Sequence, residues 1–339
     1  MDDTAVLRQR KRLERLAKRG IKRSTVMVHD ACRSALDALR PHYIDPSSAQ
    51  ALQRAAVIVK SETRLVNVAQ VRQLSPFRYP GGKTWLVPEV KTWLRSLPRR
   101  PSIFLEPFAG GAIVGLTVAA ESMAGKVILC ELDDSVAAVW KTLIHGTDTD
   151  ANWLCDRILK FEVTEDNVRS LLEKKVKSDR ERAFQTIVRN RMQRGGILAP
   201  GASLMKSGEN GRGLGSRWYP ETLVSRIKAI RNIRHRIEFR HQDAFDLIKE
   251  YTAKNDVAWF VDPPYTAGGK RAGARLYTHT QIDHDRLFRE MSCTKGDVLM
   301  TYDDAPEVAH LAERYGMGIR KVPMKSTHHA IMYELLLSK

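Results

Sequence analysis

The chain has 339 residues, is 43% hydrophobic and carries a formal net charge of +17. That length fits one large α/β domain with an insertion or appendage, or two domains, and the apolar fraction excludes a disordered chain. No apolar run approaches the roughly 18 residues that span a bilayer, and Cys32, Cys130, Cys155 and Cys293 form no CxxC pair, so neither membrane anchor, signal peptide, disulfide framework nor metal site is expected.

A cytoplasmic protein without a metal is therefore expected. The charge is localised: residues 1–40 hold 11 Lys/Arg against 5 Asp/Glu, and residues 160–240 hold 19 against 9. These two segments carry 16 of the 17 excess charges, a footprint that fits a polyanion, most simply nucleic acid.

Residues 1–70 show helical patterns at 4–19, 29–39 and 47–60 but no catalytic motif. They form a basic helical N-terminal extension, readable as a DNA-binding appendage or as a packing arm. From 86 to 97, Leu86, Val90, Trp93, Leu94 and Leu97 line one helical face, with Pro88 in the first turn and Pro98 after it. Strand 102–105, helix 112–123, strand 126–130 and helix 134–144 follow. Residues 146–235 are mostly helical and basic, broken by a glycine-rich loop at 195–217. The alternation resumes with strand 236–240, helix 244–252 and strand 256–261. Beyond a loop at 266–280 come helix 283–292, strand 297–302, helix 305–315 and strands near 317–323 and 331–337. The expected fold class is α/β, a parallel sheet with helices on both faces, formed by 71–145 and 236–339 and interrupted by a mainly helical insertion at 146–235.

Asp262-Pro263-Pro264-Tyr265 follows the apolar run Val257–Val261, so it stands at a strand's carboxyl end, where open α/β sheets bind ligands. Two prolines cannot continue the ladder. They make a stiff turn presenting a carboxylate, free carbonyls and an aromatic face, the parts needed to grip a flat base with an exocyclic amine. Upstream, Phe104-Leu105-Glu106-Pro107-Phe108-Ala109-Gly110-Gly111-Ala112 runs from a strand through a glycine turn into a helix. It lacks the GxGxxG pattern, and Glu106 would repel a pyrophosphate. Glu131, at the tip of the next strand, is placed to accept hydrogen bonds from both ribose hydroxyls, with Asp133 a substitute. A nucleoside ligand without phosphates satisfies these features, and S-adenosylmethionine is the obvious candidate. Asp243 ends strand 236–240 and serves equally as an acceptor for an adenine amine or as a helix cap. The stretch Gly81-Gly82-Lys83-Thr84 imitates a phosphate-binding loop, but Phe77 stands where its first glycine is required.

As a set, Ser75-Pro76-Phe77-Arg78-Tyr79-Pro80-Gly81-Gly82-Lys83, Leu105–Gly110, Glu131 and Asp262–Tyr265 resemble the D12 class of DNA N6-adenine methyltransferases, in that family's order, over residues 74–337. The resemblance implies a Rossmann-like, S-adenosylmethionine-dependent sheet with target recognition in 146–235. It implies that Tyr79 and Lys83 help hold the cofactor, with Glu106 and Phe108 beside its methionine end, Gly110 beneath it, Glu131 on the ribose and Asp262 between methyl group and target amine. Asp262 and the Pro263 carbonyl would accept from the amine, Pro264 would stiffen the turn and Tyr265 would stack on a flipped-out base.

DNA contacts are expected from Arg78, Arg189, Asn190, Arg191, Arg194, Arg212 and Arg217, and from Lys270, Arg271 and Arg275 in the segment after the catalytic turn. The expected partners are double-stranded DNA and a companion restriction endonuclease, with the protein a monomer or weak dimer. Two departures from the family pattern stand out: Ala109-Gly110-Gly111-Ala112, and Met300-Thr301-Tyr302-Asp303-Asp304, where many relatives have Ser-Asn. An RNA adenine methyltransferase and an inactive DNA-binding scaffold are the alternatives; a glutamine-directed enzyme is disfavoured because Asp262 stands where those carry Asn.

Overall fold

The computed structural model describes residues 14–18, 37–39, 43, 45–49, 71–78, 81–199, 201–265, 281–325 and 331–339. The chain divides into two compact units, Met1–Arg64 and Leu65–Lys339. Most of the helical patterns at 4–19, 29–39 and 47–60 lie outside the described residues; within them, residues 14–18 and 37–39 are helical and Pro46–Ser48 forms a 3-10 turn tied to Asp45.

The second unit is built on strands β1 (Ile103–Glu106), β2 (Lys126–Glu131), β3 (Ile237–His241), β4 (Val257–Val261), β5 (Asp297–Asp303), β6 (Gly318–Lys325) and β7 (Ile331–Ser338). Their order is β3-β2-β1-β4-β5-β7-β6. The first five run parallel, as alternating strands and helices require. The parallel expectation fails at the other end: β7 is antiparallel to both β5 and β6. Only residues 326–330 lie between β6 and β7, too few for the crossover that a parallel pair needs, so these successive strands pair antiparallel. A doubly wound sheet with its seventh strand inserted antiparallel between the fifth and sixth is a Rossmann-like arrangement. Strand order reverses between β1 and β4, so the ligand crevice belongs above their carboxyl ends.

Each strand sends alternate side chains to opposite faces. Phe104, Leu129, Phe260 and Leu336 join one apolar cluster, and Leu105, Cys130, Trp259 and Leu335 join another. Burial on both sides explains why β4 reads as an unbroken apolar run rather than an alternating one.

The helices are α1 (Val87–Ser96), α2 (Ile113–Ala120), α3 (Asp134–Trp140), α4 (Asp148–Lys160), α5 (Glu165–Glu173), α6 (Asp179–Met192), α7 (Pro220–Ile233), α8 (Ala244–Tyr251), α9 (His284–Cys293) and α10 (Pro306–Arg314). The pattern read as one helix over 134–144 is α3 followed by a π-helical turn, Lys141–His145. α4, α6 and α7 of the basic segment contribute Leu154, Phe184 and Ile227 to the same cluster as the sheet. α8, α9 and α10 cover the opposite face through Leu247, Phe288 and Val308. Among the described residues no helix is long and apolar enough to cross a membrane.

α2 carries Gly115 where it passes β1 and β2. A Cβ there would lie 2.5 Å from the Glu106 carboxylate oxygen and 2.5 Å from a Leu129 methyl. Gly115→Ala should therefore lower the unfolding free energy by about 1–3 kcal/mol through overpacking, read by urea denaturation.

Candidate active site

β1 and β2 finish in Glu106 and Glu131, β4 runs directly into Asp262, and Asp243 follows β3 by two residues, all at the carboxyl edge of the sheet. All four line a single cleft of about 630 Å³, together with Lys83, Phe108 and Gly110.

The turn after β1 needs left-handed backbone at Gly110 (φ 45°), which glycine adopts freely, and at Ala112 (φ 49°). It is pinned from both sides. The Gly110 amide donates to Glu131 Oε2 at 2.9 Å, and the Gly110 carbonyl accepts from the indole N–H of Trp140 at 3.0 Å. Glu131 Oε1 also accepts from the amides of Leu132 (2.8 Å) and Asp133 (2.9 Å). Three acceptor positions of the carboxylate are thus taken by backbone, which leaves room on Oε2 for one hydroxyl, not two. Burial outweighs these donors and pushes the Glu131 carboxyl up to about 7.

Asp133 and Asp243 cap α3 and α8 through Oδ1, the first to the amides of Ser135 and Val136, the second to that of Phe245 at 2.7 Å. Both also line the cleft, so capping and ligand contact at Asp243 are compatible. Glu106 is buried, accepts from the Gly115 amide at 2.8 Å and has its carboxyl pushed well above the usual range by desolvation.

Lys83 is 4% exposed. Its ammonium donates to the Gly81 carbonyl at 2.8 Å and stands 3.1 Å from Asp262 Oδ1, 3.8 Å from Glu334 Oε2 and 4.8 Å from the centre of the Tyr265 ring. Burial pushes Asp262 upward while Lys83 opposes it. The Tyr265 ring stacks on Tyr302 at 5.7 Å, and its hydroxyl meets Thr301 Oγ1 at 2.9 Å and donates to Glu334 Oε2 at 3.2 Å. Thr301 also donates to Glu334 at 2.9 Å. Pro263 is buried beneath the turn, and Pro264 faces the cleft.

Glu334, Thr301 and Tyr302 also belong to this centre, although no sequence motif marks them for it. Glu334 had a readable signal, since it is the one charged residue in the otherwise apolar Ile331–Leu337 run.

The residues expected on DNA divide. Arg194 and Arg212 are exposed and Arg189 is half-buried. Arg78 and Arg217 both pair with Glu209, at 2.7 and 3.0 Å. Asn190 is 1% exposed and clamps residue 78: its Oδ1 accepts from the Arg78 amide at 2.8 Å, and its Nδ2 donates to the Arg78 carbonyl at 3.1 Å. Arg191 is also buried and donates to the Pro76 carbonyl. Asn190 and Arg191 are therefore not free surface contacts, because α6 turns them inward against the 75–78 segment. Tyr79, Lys270, Arg271 and Arg275 lie outside the described residues.

A family model described as D12 class N6 adenine-specific DNA methyltransferase matches residues 79–325. No curated protein matches the chain. Among solved structures, the rRNA methyltransferase aviRa from Streptomyces viridochromogenes is 14% identical, with 75% of this chain and 84% of that chain covered and a TM-score of 0.33. A putative RNA methyltransferase from Pyrococcus horikoshii is 8% identical, with 83% and 97% covered and a TM-score of 0.36.

Glu131 makes stability pH-dependent. Its folded value of about 7 lies above the ordinary glutamate value of 4.5, so its contribution is full below 4.5 and is lost as pH rises through 7. The unfolding free energy should fall between pH 5 and 8 by up to about 3 kcal/mol from this group. Glu131→Gln should lack that part of the slope, and carbon-detected NMR should place the Glu131 midpoint near 7.

Proposed function

This chain belongs to the D12 class of N6 adenine-specific DNA methyltransferases, and we propose that it takes its methyl group from S-adenosylmethionine held along the cleft and delivers it to an adenine turned out of duplex DNA. The observation that carries this reading is Asp262 at the end of β4, beside the reversal of strand order, on a cleft whose β-strand tips are all acidic. Such a lining suits a ligand with a sulfonium and an ammonium and repels a pyrophosphate, so the residues present fit the cofactor.

Bound there, the cofactor supplies a methyl group on positively charged sulfur, open to attack in line. The chain's own residues do the rest. Glu131 Oε2 accepts one ribose hydroxyl and Asp133 Oδ2 offers a place for the other, since Oδ1 is spent on the helix cap. Asp243 presents its second oxygen to the cofactor's adenine amine. Phe108, Gly110 and Lys83 would line the methionine end.

The lone pair of an adenine amine is delocalised into the ring, which makes the nitrogen a poor nucleophile. Asp262 and the Pro263 carbonyl accept from the amine's two protons, drawing the nitrogen towards tetrahedral geometry and localising the pair. An ionised carboxylate is a stronger acceptor than a neutral one, and Lys83 at 3.1 Å favours the ionised form of Asp262 while burial opposes it. Tyr265 stands against Tyr302 with the Lys83 ammonium over its ring and its hydroxyl on Thr301 and Glu334, so it braces this centre and would have to turn its ring into the cleft to stack on the base.

Residues 146–235 recognise the target sequence, with Arg194 and Arg212 on phosphates or base edges. The setting is the cytoplasm, with double-stranded DNA as partner, a companion restriction endonuclease, and a monomeric or weakly dimeric enzyme.

Asp262→Ala should bind DNA and cofactor but lose methyl transfer by about a thousandfold or more; near-normal transfer would remove Asp262 from the chemistry. Expression in methylation-free bacteria, with genome-wide mapping, should reveal N6-methyladenine within a recurrent sequence. Methylated RNA without methylated DNA would instead favour the RNA alternative.

A further inference from the structure

The cleft is electrically divided. Glu106, Glu131, Asp243 and Asp262 line it at the sheet edge, whereas Arg78, Arg191 and Arg226 line it where the 75–78 segment forms the wall. Arg191 comes from α6 and Arg226 from α7, and each braces that segment, Arg191 on the Pro76 carbonyl and Arg226 on the Ser75 carbonyl at 2.9 Å.

These guanidinium groups are short of counter-charge. Among the described residues neither Arg191 nor Arg226 has an ion-pair partner, and Glu209 is already shared by Arg78 and Arg217. Arg191 is 4% exposed, and its Nε finds no hydrogen-bond partner among the described residues. Burial, followed by the charges of Arg226, Arg78 and Arg217, pulls Arg191 down to about 9. A buried cation with neither a carboxylate nor a full set of acceptors is costly unless an anion completes it.

We propose that Arg191, Arg226 and Arg78 form a phosphodiester site that holds a backbone phosphate of the strand whose adenine enters the cleft. The proposal rests on the DNA methyltransferase reading above and assigns one group of residues to one part of its substrate.

The competing anion is the carboxylate of the cofactor's amino-acid end, and charge decides between them. That end carries an ammonium beside its carboxylate, so a wall of three guanidinium groups repels one half as it attracts the other. The acidic stretch at Glu106 and Asp262 accepts the ammonium instead. A phosphodiester has no attached cation and matches the forked N–H geometry of arginine. The chain then runs from the 75–78 wall through Gly81 to Lys83, which touches Asp262. The Ser75 carbonyl that Arg226 holds and the Lys83 that meets Asp262 thus belong to one short segment of chain.

The test uses a duplex bearing the sequence found by methylation mapping, with one uncharged methylphosphonate linkage moved stepwise around the target adenine. For the wild-type protein, one linkage should weaken binding about tenfold. Arg226→Gln should weaken the all-phosphate duplex about as much, lower the slope of log affinity against log salt by about 1, and no longer respond to that linkage. Its affinity for S-adenosylhomocysteine should stay within about twofold, which also reports an intact fold, and Arg226→Lys should recover part of the response. The proposal is overturned if variant and linkage effects simply add at every position. It is equally overturned if S-adenosylhomocysteine affinity falls while DNA affinity holds, which would make the site a carboxylate subsite. Absence of any methylated adenine removes the parent reading, whereas methylated adenines without a coupled linkage remove only the phosphate site.

Discussion

The buried Lys83 ammonium is the constraint on which the rest of the centre depends. A lysine taken out of water is tolerated only with opposite charge and acceptors around it, and here Asp262, Glu334 and the Gly81 carbonyl supply them. The dependence is mutual. Asp262 sits where burial favours its neutral form, and a protonated carboxyl would be a poorer acceptor for an amine. Lys83 opposes that pull on Asp262, Glu334 helps hold Lys83, and Thr301 and Tyr265 close the ring of hydrogen bonds around Glu334. The insertion of β7 beside β5 brings Glu334 against Thr301, so the antiparallel end of the sheet contributes to a site that the parallel half begins.

Glu131 has a comparable double duty. It ties the turn after β1 to the tip of β2 by accepting from Gly110, Leu132 and Asp133, and it keeps one acceptor position facing the cleft. Rigidity in the turn and a place for a ligand hydroxyl come from the same carboxylate. The acidic strand tips and the arginines of α6 and α7 then give the cleft two electrical regions, one suited to a cationic methyl donor and one to a polyanion. Helices rich in Lys and Arg thereby serve the interior of the site as well as the outer surface.

Much of the sheet was legible in the sequence because strand and helix periodicities are local. The runs Lys126–Glu131 and Val257–Val261 are too apolar and too short to be anything but buried strands. The misreadings came from residues whose surroundings are distant in sequence. Asn190 and Arg191 look like solvent-facing members of a basic helix, and their burial follows only from the packing of α6 against residues 75–78. Glu334 lies far down the chain from Lys83, and nothing local to either names the other.

The sequence by itself determined the order of elements, the stiff acidic turn at Asp262, the acidic tip at Glu131 and the place of the excess charge. Those follow from side-chain chemistry and backbone restrictions that act over a few residues. The tertiary structure alone decided which charges meet: Lys83 with Asp262 and Glu334, Glu209 with two arginines, and Arg191 and Arg226 with no carboxylate partner among the described residues. Ionic pairing depends on distance and desolvation, and both exist only once the sheet edge, α6, α7 and β7 have been brought together.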